Sequence, residues 1–185
     1  GLVRLVNCYS HDNIDDGFDL FNKIEDGPNG SVTIENSLSV HNGSNGFKLG
    51  GEGLPVAHVI SDSVAVENGM DGFTDNFNPG ALRVERNRAV DNKRFNFLFR
   101  PSPYTTVDKQ GIFKDNLSLR TSPGKYDDAV AGNVDDSNDF YTHHQTMNKS
   151  GKVTHPENFI SVRLPHPVTR FPDGEFNYAE FLKRK

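Results

Sequence analysis

Apolar residues in this chain come in short runs of three to five, broken by Asn, Asp, Gly and Ser. No stretch of the repeated part holds a helical period. Val, Ile and Phe favour the pleated, half-buried surface of a strand, and the breakers favour turns. The runs predict strands at 3–6, 8–11 and 17–21, then 31–34, 37–40 and 46–49. They continue at 56–60, 63–66 and 72–74, and at 81–84, 87–90 and 95–99. A weaker fifth set runs through Gly111-Ile-Phe-Lys-Asp-Asn-Leu-Ser-Leu119.

The groups of three repeat. Aligned on the aromatic of each third run, Phe18, Phe47, Phe73 and Phe97 stand 29, 26 and 24 residues apart. His11, Val40, Val66 and Val90 then share a column, as do Ser10, Ser39, Ala65 and Ala89. Asn13, Asn42, Asn68 and Asn92 share another. A period of that size with several short strands is a solenoid signature. Leucine-rich spacing is missing, so the expected fold is all-β, a parallel β-helix. Its coils occupy residues 1–120, with Phe and Val columns facing inward and the asparagines bonding to one another at one bend. Residues 121–158 are polar and read as an irregular or partly helical cover. In them Asp127-Asp128, Asp135-Asp136 and His143-His144 read as solvated. The apolar residues from Phe159 to Leu182 read as packing back on the coils, so 121–185 is an irregular C-terminal cap. Gly50-Gly-Glu-Gly-Leu-Pro55 is a turn-rich excursion, and Gly1-Leu-Val-Arg-Leu-Val6 reads as a strand already under way. On that reading the chain is a segment of something longer. An exposed first coil would invite self-association with another chain.

Charge changes the picture locally more than globally. The net charge of −5 gives no general pull toward nucleic acid, and no apolar run is long enough for a membrane helix. Cys8 is alone and forms no internal disulfide. Acids dominate residues 12–26, whereas Arg83, Arg86, Arg88, Lys93, Arg94 and Arg100 crowd a later stretch.

The chemistry lies in the first copy, Asn13-Ile-Asp-Asp-Gly-Phe-Asp19. Asp15, Asp16 and Asp19 surround a turn-forming glycine and could offer hard oxygen ligands to a calcium ion. The next copy carries Lys48 where the first carries Asp19. Coils stack about 4.8 Å apart, which places Lys48 directly over Asp19 on the outer surface. A lysine beside a bound dication loses part of its preference for the ammonium form and could act as a base, while Asp19 pulls the other way. Arg94 falls in the column of Asp15, and Arg100 lies two residues beyond that of Lys48. Either could hold carboxylates of an acidic polymer lying along the solenoid. Each residue also has a plainer reading, as a turn aspartate or a solvated cation.

Asn13-x-Asp-Asp-Gly-Phe-Asp19, followed a coil later by Gly46-Phe-Lys-Leu-Gly-Gly51, resembles the polysaccharide lyases of family nine, the pectate lyase L type. The resemblance covers the coils to about Phe99 and extends to the terminal Phe159–Leu182 segment. It implies a right-handed parallel β-helix and secretion. It also implies cleavage of polygalacturonate by β-elimination, with Asp15, Asp16 and Asp19 on calcium and Lys48 as base. A further aspartate from a preceding coil belongs to the family's pattern. Two other readings stay open: a non-catalytic, calcium-stabilised carbohydrate-binding β-helix, and a β-helix glycoside hydrolase using Asp15 and Asp16.

Overall fold

A computed structural model describes residues 2–51 and 53–185. Gly1, at the head of the opening strand, and Glu52, inside the Gly50–Pro55 excursion, lie outside the described residues. The chain winds into stacked coils whose strands form three parallel sheets. The first sheet contains Val3–Val6, Val32–Glu35, Val59–Ser61, Leu82–Glu85, Gly111–Lys114 and Asn133–Val134. The second contains Tyr9–His11, Leu38–Val40, Val64–Val66, Arg88–Val90 and Leu117–Leu119. The third contains Phe18–Asp19, Phe47–Lys48, Phe73–Thr74, Phe97–Phe99 and Ala129–Val130. The Phe, Val and Ser/Ala columns read from the repeat appear as register pairs, including Phe18 with Phe47 and His11 with Val40.

Two sharp bends per coil make this closure possible. At the first, Asn7, Asn36, Asp62, Arg86 and Asp115 have φ of 44° to 55°; at the second, Asp12, His41, Glu67 and Asp91 have φ of 53° or 54°. That left-handed region is costly for most side chains and tolerated by Asn and Asp. The residues that do not suit it are tied across coils. Arg86 grips Asp62 through two 2.8 Å bonds, and His41 Nε2 lies 2.6 Å from Glu67.

Inside, Phe18, Phe47, Phe73 and Phe97 stack with ring centroids 4.7, 4.9 and 4.9 Å apart. The asparagine column forms a chain in which each Nδ2 donates to the next Oδ1. It runs from Asn13 through Asn42 and Asn68 to Asn92 at 2.7, 3.0 and 2.8 Å. The fifth coil has no asparagine there, and Asn96, in the fourth coil with Asn92, closes the chain by accepting from Asn92 at 2.9 Å. A second ladder, absent from the sequence reading, runs Cys8, Ser37, Ser63, Asn87, Asn116 and Asn138. In it each backbone N–H donates to the next side-chain oxygen. Both ladders satisfy backbone groups that the bends take out of the sheets.

The valine column corrects one expectation. Val40, Val66 and Val90 face outward, because the second sheet is only three residues wide and its middle residue, Ser39, Ala65 or Ala89, takes the inward side. The valines, with Leu38 and Leu119, pack under Phe159, Val168, Phe176 and Phe181 of the C-terminal segment. That segment therefore lies along the outer face of the second sheet. Residues 121–158 also differ from an irregular or helical cover. Ala129–Val130 and Asn133–Val134 extend two of the parallel sheets, and Phe140–Thr142, Gln145–Met147 and Val153–Thr154 form an antiparallel sheet. Asp128 is not solvated: its Oδ1 accepts from the Asn96 and Phe97 N–H groups and its Oδ2 from Tyr141 N–H, each at 3.0 Å. Burial pushes its carboxyl up from the ordinary aspartate value. Among the described residues no helix is long and apolar enough to cross a membrane.

Candidate active site

The second bend carries the acid-rich copy up to the flank of the third sheet. Gly17 is needed there, because a Cβ at that position would lie 2.2 Å from Ser39 Oγ. With the backbone held so close, Asp16 lies just outside the bend and Asp19 follows Phe18 on the outward side. Asp19 pairs in register with Lys48 one coil on. Lys48 Nζ lies 3.3 Å from Asp19 Oδ2 and also 3.3 Å from Asp16 Oδ2. The two aspartates differ in surroundings. The Asp16 side chain is 4% exposed and its Oδ1 accepts from Asn45 N and Nδ2 at 2.7 and 2.8 Å. The Asp19 side chain is 42% exposed and accepts from Phe21 N–H at 2.8 Å. The Phe21 ring lies under the ammonium, its centroid 5.0 Å from Nζ.

Burial acts to lower the Lys48 pKa, but the charges of Asp19 and Asp16 outweigh it, and the pKa lies above the ordinary lysine value. Burial likewise acts to raise Asp16. The Asn45 N–H and the Lys48 charge overcome it, and its carboxyl lies below the usual aspartate value. The arrangement is a charged triad with a protonated lysine.

Asp15 does not join it. Its side chain is exposed and makes no hydrogen bond or ion pair among the described residues, although its carbonyl accepts from Ser44 N–H at 3.1 Å. Among the described residues no group of three or more acidic, histidine or cysteine side chains stands close enough to hold a metal ion. The donors nevertheless suit calcium in kind, since two hard carboxylate oxygens converge on one point, which the Lys48 ammonium occupies.

Arg94 stands on the same flank, in the column of Asp15, Ser44 and Met70. Its guanidinium is already held by Asp71, through bonds of 3.1 and 2.9 Å. Burial pushes the Asp71 carboxyl up, against the pull of Arg94. Arg100 lies over the Phe77 ring at 3.7 Å, with a buried Nε that has no partner among the described residues. The two arginines are thus near the flank, each held by a neighbour.

The family model for the Pel9A-like, right-handed β-helix region matches residues 2–116. The chain belongs to that family. It is 72% identical over 133 residues to a pectate disaccharide-lyase of Dickeya chrysanthemi, which covers 72% of this chain and 18% of that protein. It is 37% identical over 191 residues to a pectate lyase L of Paenibacillus polymyxa, covering 96% of this chain and 40% of that protein. The crystal structure of pectate lyase Pel9A superposes with a TM-score of 0.74 at 28% identity, covering 98% of this chain and 44% of the other. The chain spans less than half the length of these relatives.

Within this Pel9A-like coil, sequence reasoning missed Asp71, Asn45 and Phe21. Asn45 and Asp71 continue the Asp16 column, where each side chain caps an N–H one coil on. That signal was present in the repeat as a polar residue before each Gly-Phe pair. A cavity of about 300 Å³ lies elsewhere, between Val66, Glu67 and the Val162–His166 strap. The Lys48 site is an open flank by contrast.

Proposed function

We propose that this chain carries the catalytic flank of a polysaccharide lyase that cleaves polygalacturonate or a related acidic glycan by calcium-assisted β-elimination. The observation that supports this is the placement of Lys48 across one coil step from Asp16 and Asp19, on an open flank of the solenoid. The names of the relatives favour pectate as substrate, and secretion goes with that reading. Asp15, Asp16 and Asp19 would hold the calcium. When bound, that ion supplies Lewis acidity toward the substrate carboxylate and offsets the aspartate charges.

The residues of the chain do the rest. Lys48, once neutral, takes the C5 proton of a uronate. The C–H electron pair becomes the C4–C5 double bond. The C4–O bond breaks, and its pair leaves with the glycosidic oxygen, which takes up a proton from water. Arg94 offers the guanidinium edge that Asp71 leaves open, and Arg100 adds positive charge nearby; both assist in holding substrate carboxylates. Asp16, locked by Asn45, fixes the position of the amine.

Ultraviolet absorbance of the unsaturated product from polygalacturonate tests this reading, with calcium, with chelator, and with Lys48→Ala. Calcium-dependent product that the substitution abolishes is expected. Wild-type rates in Lys48→Ala would remove the lysine as base. Binding without any new absorbance would favour a carbohydrate-binding solenoid.

A further inference from the structure

The flank does not end at Lys48. Two coils further along the same bend, Phe95 continues the column of Asp16, Asn45 and Asp71. Its ring stacks on Tyr126, with centroids 5.0 Å apart and planes at 27°. Arg94 lies against the Phe95 ring at 5.7 Å, and Lys125 lies over Tyr126 at 5.1 Å. Tyr126 is 36% exposed, and Lys93, two residues before Phe95 in the chain, is exposed. Neither Lys93 nor Lys125 makes an ion pair among the described residues.

The stretch between Lys48 and this patch is low. Lys93 N–H bonds Asn68 O, Gly69 N–H bonds Asn42 O, and Gly43 N–H bonds Asn13 O, so Lys93 stands at the end of a column whose two preceding members are glycines. The coil between carries Thr74 in the column of Lys48 and Asp71 in that of Phe95, both buried. A step of about 4.8 Å per coil is on the order of the length of one sugar unit in an extended chain. A polymer seated at Lys48 therefore reaches the patch within a few units.

We propose that Phe95 and Tyr126, flanked by Lys93 and Lys125, form a remote subsite for a uronate unit of the same acidic polysaccharide. The aromatic pair takes the apolar C–H face of the sugar ring, and the two unpaired lysines face its carboxylate. Charge complementarity and continuity with the Lys48 flank identify the occupant. The subsite rests on the lyase reading for its substrate class. It is a binding and specificity element; its residues touch no reacting atom.

The test compares saturated oligogalacturonates of three and six units with wild type, Tyr126→Ala, Tyr126→Phe and Lys125→Glu. Calorimetric binding in a Lys48→Ala background is read beside KM and kcat in the active protein. Tyr126→Ala is expected to weaken the hexamer roughly tenfold. It should leave the trimer and kcat unchanged, and Tyr126→Phe should bind like wild type. Lys125→Glu, an exposed change that leaves the aromatic stack in place, is expected to weaken the hexamer as well. Unchanged hexamer affinity in both Tyr126→Ala and Lys125→Glu overturns the subsite, as does an equal loss for trimer and hexamer or no hexamer binding by wild type. Hexamer binding that depends on Tyr126, with no unsaturated product from any substrate, would remove the lyase reading and keep the subsite.

Discussion

Lys48 Nζ lies 3.3 Å from Asp16 Oδ2, and the partner is 32 residues away in sequence yet one coil below. Asp16 has two functions at once, since its other oxygen caps the Asn45 N–H. Asp16→Asn keeps that acceptor and removes the charge, whereas Asp16→Ala removes both. We expect Asp16→Asn to cost under about 1 kcal/mol of folding stability and Asp16→Ala about 1–3 kcal/mol, read from urea midpoints. Product formation should be lost in both. Full activity in Asp16→Asn would show that the carboxylate is dispensable.

The protonation of Lys48 gives a pH prediction. Two carboxylates raise its pKa above the ordinary lysine value, against burial. A base must be neutral, so the rate should rise with pH through the neutral range. Chelation should depress the rate most at the acid end of that range, because the aspartate charges are then unopposed. Initial rates from pH 6 to pH 10, with and without chelator, check this. A chelated enzyme as active as the calcium-loaded one at the acid end would contradict it.

Asn68 stands in the middle of the asparagine ladder and is 1% exposed. Its Oδ1 accepts from Asn42 N and Nδ2 at 3.1 and 3.0 Å, while its Nδ2 donates to Asn92 Oδ1 and Ser39 O at 2.8 and 3.1 Å. Truncation to Ala strands buried donors and acceptors on both neighbouring coils, at about 1–3 kcal/mol for each group left unpaired. A loss of about 3 kcal/mol or more is expected in chemical denaturation. A loss under about 1 kcal/mol would mean that the ladder is not a main source of stability.

Asp75 sits in the position of Leu49 below and Phe99 above, fully buried, with neither carboxylate oxygen hydrogen-bonded among the described residues. Burial raises its pKa to about 6 from 3.8. A carboxyl that holds its proton more tightly when folded stabilises the fold at low pH. That contribution is lost as pH rises from the unfolded value of about 4 through 6. A shift of this size corresponds to about 3 kcal/mol. Asp75→Asn should therefore be more stable than wild type at pH 7 and little different at pH 4, by urea unfolding at both values. An equal effect at the two pH values would place the charge of Asp75 elsewhere.

Sequence periodicity alone determined the solenoid, its register and the pairing of Asp19 with Lys48. It could do so because stacked coils turn a repeat along the chain into neighbours in space, and the Phe and Asn columns tolerate no slip. Which side a column faces was a tertiary decision. Val40, Val66 and Val90 look like core residues in any alignment, and only the C-terminal segment lying over them makes the outer face a second apolar layer. Side-chain partners, one inside the repeat and one beyond it, were equally undecided by it. Asp71 takes the guanidinium of Arg94, and Asp128 reaches back to cap Asn96 and Phe97 because a loop of the chain folds over the fourth coil. Hydrophobic period and ladder spacing are local and written in the sequence. Burial, charge pairing and the protonation of Lys48 depend on what the fold brings alongside.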